Sequence, residues 1–303
     1  VLDAAAGEAD IAGTFGWCMA DYNTHLDFGS GDRICYHGVL DMFRNRKLAA
    51  QVYAAQQDAV PVLSLSSSMD IGEHPASNRG RVFLFTNADE VRMYKNGDFI
   101  RSYTHADSPF KKLRRGPIEV DDFVGEQIAE NEPFTPAQAR GVKELVNYSA
   151  RYGSAHLPPE MMARAGWLML RYGMSFDDAY QLYGKYIGNW GQAGNTVYRF
   201  EAVKDGKTVA CIEKAPMTAY RLCADVSHTA LRVGETYDTA SVRLCLRDQN
   251  GNELPFYMGG VRLETEGPIA VIGPDCAMLR GGLGGTYVRT TGAAGEAALT
   301  LTA

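Results

Sequence analysis

Near its start the chain carries a nearly continuous apolar run over 11–20 (IAGTFGWCMA), just after an acidic residue. That pattern predicts a strand buried on both faces. A polar, glycine-rich loop follows over 21–32 (DYNTHLDFGSGD). Beyond His37-Gly38, residues 39–57 place Val39, Met42, Phe43, Leu48, Val52 and Tyr53 at helical spacing. Strand, loop and helix make one β/α unit. A single unit covers neither its sheet edge nor the apolar face of its helix, so this segment predicts partners outside itself.

From Pro61 the texture becomes short β-type runs: Val62 to Leu65, then 81–86 (RVFLFT) and 91–94 (VRMY), with Asn96-Gly97 as a hairpin marker. Their spacing predicts an antiparallel sandwich. Residues 124–190 are helical instead. Thr135-Pro136-Ala137-Gln138 offers an N-cap, a proline at N1 and a glutamine at N3, the elements of a capping box. Ala139, Val142, Leu145 and Val146 then form one stripe. Pro158-Pro159 opens a second helix that Gly173 closes, and Ser175 with Asp178 caps a third.

The β texture returns at 196–203 and 208–212, around the turn Lys204-Asp205-Gly206-Lys207. Strands on both sides of the helices predict one sandwich interrupted by a three-helix insertion, since exposed edge loops accept insertions. Runs at 240–246, 261–265, 270–272, 286–289 and 297–302, with a turn at Asp248 to Asn252, predict a second sandwich.

Composition narrows the function classes. At 303 residues, 46% hydrophobic and 22% charged, the chain is ordinary globular material. A net charge of −6 supplies no electrostatic footprint for nucleic acid. The short link between the second and third helices suggests a helix-turn-helix. The helical block, however, carries six basic against seven acidic residues, the wrong balance for neutralising phosphates. No apolar run approaches the roughly 18 residues of a membrane span. Neither a nucleic acid nor a membrane is therefore an expected partner.

The cysteines, at positions 18, 35, 211, 223, 245 and 276, form no CxxC pair and no zinc-type cluster with histidine. No metal or cofactor is expected, and the free thiols favour a reducing, cytoplasmic setting. Gly29-Ser30-Gly31-Asp32 lacks the frame of a phosphate loop. Gly281 to Gly285 follows no βαβ unit and reads as a loop needing positive φ. His37 has no Ser or Cys partner placed by motif, which argues against a nucleophilic triad. Tyr180, Tyr183, Tyr186 and Trp190 recur at helical spacing, which favours packing over a sugar platform.

The wording of the first unit is more specific. Gly13-Thr14-Phe15-Gly16-Trp17-Cys18-Met19-Ala20-Asp21-Tyr22 resembles the eighth barrel strand of glycoside hydrolase family 2, the family of β-galactosidases and β-glucuronidases. Gly38-Val39-Leu40-Asp41, Arg44, Lys47 and the run to Tyr53 resemble that barrel's last helix, with Arg46 where the family usually has proline. Phe85-Thr86-Asn87-Ala88-Asp89-Glu90-Val91, Tyr94 and Asn96-Gly97 are similar to a signature of the family's accessory domains. Val242 to Asn252 with Gly267-Pro268 is similar to the bacterial Ig-like domain that often closes such chains. The resemblance spans about 1–122 and 194–303 and leaves the helical insertion unexplained.

The resemblance implies a mixed fold: the last β/α unit of a (β/α)8 barrel (1–59), an immunoglobulin-like sandwich with its helical insertion (60–222), and a terminal immunoglobulin-like sandwich (223–303). It implies a retaining β-glycosidase acting on carbohydrate, with β-galactosidase as the default specificity and β-glucuronidase and β-mannosidase behind it. Both catalytic glutamates would sit on earlier barrel strands, upstream of Val1. The opening Val1-Leu2-Asp3 reads as a cut end. The Asn-Glu steps present, Asn131-Glu132 and Asn252-Glu253, follow no barrel-like strand, so the chain alone is expected to be inactive. Trp17 matches the family's barrel-end tryptophan beneath the sugar. Asp21, Tyr22, Asn23, His25 and Asp27 follow it in the loop as candidate hydroxyl partners. The competing reading is a non-catalytic module of sandwiches that binds carbohydrate or protein. An orphan β/α unit is expected to pack non-natively or against a second copy of the chain.

Overall fold

The computed structural model describes residues 1–25, 27, 31, 33–75, 77–188 and 195–303. These gather into two compact units, one of Val1–Thr14 with Gln51–Pro216, the other of Phe15–Ala50 with Met217–Ala303.

The opening segment departs from the expected β/α unit. After a short helix α1 (Leu2–Ala6), residues 11–20 form no strand; Phe15, Trp17 and Met19 are exposed, and one parallel bridge joins Ala20 to Leu40. A strand buried on both faces needs a layer packed over each, and here the backbone of 18–21 pairs along one edge with 37–40. The regular pairing here is a two-residue ladder between β1 (Tyr22–Asn23) and β2 (Ile34–Cys35). The expected helix over 39–57 shrinks to α2 (Leu48–Ala54). Ahead of it, the Asp41 carboxylate accepts the backbone N–H groups of Phe43 and Asn45 and the Asn45 amide, each at 2.8 Å. These local bonds compete with helix and hold 41–45 as a turn.

Among the described residues the first unit carries seven strands, β3 (Leu63–Leu65), β4 (Val82–Thr86), β5 (Glu90–Lys95), β6 (Asp98–Thr104), β7 (Ile118–Val120), β8 (Tyr198–Lys204) and β9 (Lys207–Lys214). They form two antiparallel sheets, β3-β4-β7 and β6-β5-β8-β9. The Asn96-Gly97 and Asp205-Gly206 turns close their hairpins as expected, all four residues having positive φ. The resumption after the insertion is literal: β8 pairs with β5 from Glu90↔Val203 to Lys95↔Tyr198. Asn87 explains part of its motif, accepting from Val62 N–H and donating to the carbonyls of Gln57 and Val60 at 2.7–2.8 Å.

Between β7 and β8 lie α3 (Gln127–Asn131), α4 (Pro136–Tyr152), α5 (Pro159–Tyr172) and α6 (Phe176–Tyr186). Thr135 accepts from Gln138 N–H, Gly173 ends α5 in the left-handed region, and Ser175 with Asp178 makes a reciprocal box. The helices share one core with the sheets, in which Ala139, Val142, Val146 and Ala150 join Val82, Leu84, Val91, Met93 and Ile118.

The second unit carries β10 (Tyr220–Val226), β11 (Thr239–Asp248), β12 (Met258–Glu266), β13 (Ile269–Ile272), β14 (Cys276–Arg280), β15 (Leu283–Thr290) and β16 (Ala298–Thr302). The runs β10-β11-β15-β13 and β14-β12-β16 meet at the single pair Arg280↔Leu283. Both contribute to a core of Val242, Leu244, Leu246, Val261, Leu263, Leu279 and Val288. Gly281 and Gly282, both at positive φ, make the connecting turn.

The segment 36–45 packs within this second unit. Asn45 Nδ2 donates to the Gly284 carbonyl (2.8 Å), Tyr287 O–H to the Met42 carbonyl (3.2 Å), and Arg280 to Tyr36 Oη (3.0 Å). A Cβ on Gly285 would lie 2.6 Å from Phe43, so glycine is what permits this approach.

Candidate functional site

The candidate residues lie where 17–23 runs beside 34–40. Cys18 N–H bonds to the His37 carbonyl (3.3 Å), Val39 N–H to the Cys18 carbonyl (3.1 Å), Leu40 N–H to the Met19 carbonyl (2.9 Å) and Asp21 N–H to the Leu40 carbonyl (3.0 Å). Gly38 sits at the crossing, and a Cβ there would lie 2.2 Å from Asp21 N. The buried Asp21 carboxylate accepts Gly38 N–H at 2.9 Å and Lys47 Nζ at 2.6 Å through Oδ1. Lys47 also lies 5.7 Å from the centroid of the Tyr36 ring.

Trp17 is 77% exposed. Its Nε1–H donates to Tyr22 Oη at 3.4 Å. Tyr22, half-buried, stands opposite Cys35 in the ladder, and a hydrogen bond to that sulfur raises its phenol above the ordinary tyrosine range. Cys35 Sγ in turn lies 3.2 Å from His37 Nδ1.

Of the loop candidates, Trp17 and Tyr22 therefore come together, and Asp21 turns inward to Lys47. Asn23 and His25 are exposed, and His25 Nδ1 accepts Asp27 N–H at 3.2 Å, with Asp27 exposed as well. Residues 26, 28–30 and 32 of the loop, including most of Gly29-Ser30-Gly31-Asp32, lie outside the described residues.

Sequence reasoning missed the Cys35–His37 contact. The signal was present as Cys-x-His, two residues that the turn at 36–37 brings together. The aromatic stripe on α6 divides: Tyr186 is buried, Tyr183 donates to the Ser77 carbonyl at 3.0 Å, and Tyr180 is exposed. Trp190 lies outside the described residues. Beside that stripe is a cavity of about 540 Å³, lined by Leu145, Leu168, Met169, Phe176 and Tyr183 among others, which the sequence did not announce.

No protein-family model matches the chain. Among solved structures, a β-glycosidase from Bacteroides vulgatus aligns over 93% of this chain and 28% of its own, at TM-score 0.55 and 12% identity. A glycosyl hydrolase family 2 member from Bacteroides cellulosilyticus aligns over 94% of this chain and 34% of its own, at TM-score 0.53 and 11% identity. Those likenesses concern the fold. In sequence, a β-galactosidase of Thermoanaerobacterium thermosulfurigenes is 30% identical over 285 residues, 93% of this chain. A β-galactosidase of Rhizobium radiobacter is 32% identical over 125 residues, which make up 38% of this chain and 83% of that protein. The chain belongs to glycoside hydrolase family 2. As a member of that family it is short, spanning 32% of the length of the Thermoanaerobacterium protein.

Proposed function

We propose that the chain is the C-terminal portion of a retaining β-glycosidase that acts on β-galactosides, and that Trp17 and Tyr22 line the sugar site. The supporting observation is Trp17: an exposed indole, tied by its N–H to Tyr22, in a chain related along most of its length to proteins named β-galactosidase. An aromatic face offers an apolar platform to the C–H side of a pyranose, while Tyr22 presents a polar tip beside it. Asp21 and Lys47 hold the backbone that carries both rings.

In this reading residues 1–59 complete a barrel whose other strands lie elsewhere in the enzyme. Residues 60–222 and 223–303 are its immunoglobulin-like sandwiches. A retaining mechanism needs two carboxyl groups about 5–5.5 Å apart across the scissile bond. Glu132 is engaged by Lys185 and the Tyr186 hydroxyl, and Glu253 faces Arg247. These pairings support a catalytic pair supplied from outside this chain, so the 303-residue chain alone is inactive. In the longer polypeptide of the same reading frame, Trp17→Ala is expected to raise KM for an aryl β-galactoside at least tenfold, with Trp17→Phe in between. Unchanged KM in Trp17→Ala would overturn the assignment of the platform.

A further inference from the structure

Two of the six cysteines face each other across a sheet. Strand β10 pairs with β11 in an unbroken antiparallel register from Tyr220↔Asp248 to Val226↔Val242, and Cys223 stands directly opposite Cys245. Just beyond the ends of that ladder, Ser227 N–H bonds to the Ser241 carbonyl and Gln249 N–H to the Ala219 carbonyl, each at 3.0 Å. Hydrogen-bonded pairs recur at every second residue, so either bond makes Cys223 and Cys245 such a pair, with Cα atoms about 5.5 Å apart. Disulfides most often span about 5.5–6 Å between Cα atoms. Leu222, Leu244 and Leu246 pack into the core, so the alternate positions Cys223 and Cys245 share the opposite face. On that face the next pair along, Asp225 and Arg243, is joined by a salt bridge. Side chains therefore do meet straight across these two strands.

We propose that Cys223 and Cys245 are a modification site, a thiol pair that exchanges with a low-molecular-weight disulfide and closes to a cross-strand disulfide, fastening β10 to β11. Both are free thiols in this structure. Cys223 is half-buried and within reach of a small oxidant, whereas Cys245 is 9% exposed. Burial, with Glu253 adding to it, pushes the Cys245 thiol up to about 11, which leaves Cys223 to react first. The Cys223 thiolate attacks one sulfur of the small disulfide; that S–S bond breaks, a mixed disulfide forms and one small thiolate leaves. Cys245 gives up its proton to water and attacks the Cys223 sulfur, which forms the cross-strand bond and releases the second small thiolate. Two protein thiols are oxidised, and one small disulfide is reduced to two thiols. The consequence falls on β10, which among the described residues ends its sheet. Five of its seven residues are exposed, and a long connection over 227–238, not a tight turn, joins it to β11. A covalent link in the middle of the ladder removes its freedom to peel away.

The test is oxidation of the folded 303-residue chain with oxidised glutathione, followed by alkylation of the remaining thiols, tryptic digestion and mass spectrometry, with circular dichroism as the control for folding. Cleavage after Arg221, Arg232, Arg243 and Arg247 puts the two cysteines on separate peptides, 222–232 and 244–247. The expected product is those two peptides joined by a disulfide, and in Cys245→Ser a glutathione retained on Cys223. Amide exchange in β10 should slow about tenfold or more on oxidation and recover with dithiothreitol. A parent chain that keeps both thiols free, or that holds glutathione on Cys223 without closing, would overturn the proposal. So would a link from either cysteine to Cys211 or Cys276, which are exposed, or a closed disulfide that leaves β10 exchange unchanged.

Discussion

Replacing Asn147 with leucine tests whether the helical insertion and the sheets of the first unit are one cooperative structure. Asn147 lies on α4, 6% exposed. Its Oδ1 accepts Phe123 N–H at 2.9 Å, and its Nδ2 donates to Asp122 Oδ1 at 2.9 Å. Asp122 follows β7 and is itself held by Val124 N–H (3.1 Å), Gly125 N–H (3.0 Å) and Lys143 Nζ (2.7 Å). Leucine is close in size, so packing changes little. The variant leaves the buried Phe123 N–H without an acceptor, at a cost of about 1–3 kcal/mol, and removes one bond to a charged group, worth about 1.5–3 kcal/mol. Asp122 keeps its other donors, which puts the second contribution at its lower end. The expected loss is about 3 kcal/mol. Urea denaturation combined with peptide-resolved hydrogen exchange measures it, because the two units need not unfold together. Protection should fall by that amount in β4, β5, β7 and β8 as well as in α4, and stay unchanged in the second unit. A loss below about 1 kcal/mol, or one confined to the helices, would refute the reasoning.

Lys95, 5% exposed, donates to the Tyr186 carbonyl. Burial, with Arg79 beside it and Asp98 opposing, pushes its amine down to about 8. Between pH 8 and the ordinary lysine range near 10.4 the unfolded chain binds the extra proton, so stability rises with pH there. Relative to Lys95→Met, the parent should gain about 3 kcal/mol across that window in chemical denaturation; a flat difference would contradict the burial argument. Gly38→Ala places a Cβ 2.2 Å from Asp21 N and 2.4 Å from the Leu40 carbonyl oxygen, both backbone atoms that cannot yield. The Asp21 and Leu40 amides should lose their exchange protection, and parent-like protection would show that the crossing is looser than its distances imply.

What the sequence made legible follows its strongest local chemistry. Asn96-Gly97, Asp205-Gly206, Thr135 and Ser175 each determine a turn or a cap through bonds made within a few residues, and each stands where it was expected. That strands resume after the insertion followed from the returning texture; that the first of them pairs with β5 is seen in the structure. Residues 11–20 failed because an apolar run records what a strand would bury against, and here the run meets a neighbour along one edge, 37–40, with Phe15, Trp17 and Met19 left exposed. The helix over 39–57 failed at Asp41, whose side chain satisfies the backbone more locally than a helix would. Trp17 and Tyr22, singled out by the family wording, are hydrogen-bonded to each other. The inward turn of Asp21 depended on Lys47, 26 residues away, a pairing that no contiguous motif encodes; the Cys35–His37 contact is local, made across the turn at 36–37.

Hydrolysis of an aryl β-D-galactoside measures directly whether the catalytic carboxylates lie within this chain. The purified 303-residue chain should give no turnover above buffer. The longer polypeptide of the same reading frame should hydrolyse the substrate with retention at the anomeric carbon, followed by NMR. Robust turnover by the chain alone would contradict the account, as would a longer polypeptide that folds, binds galactosides and cleaves none.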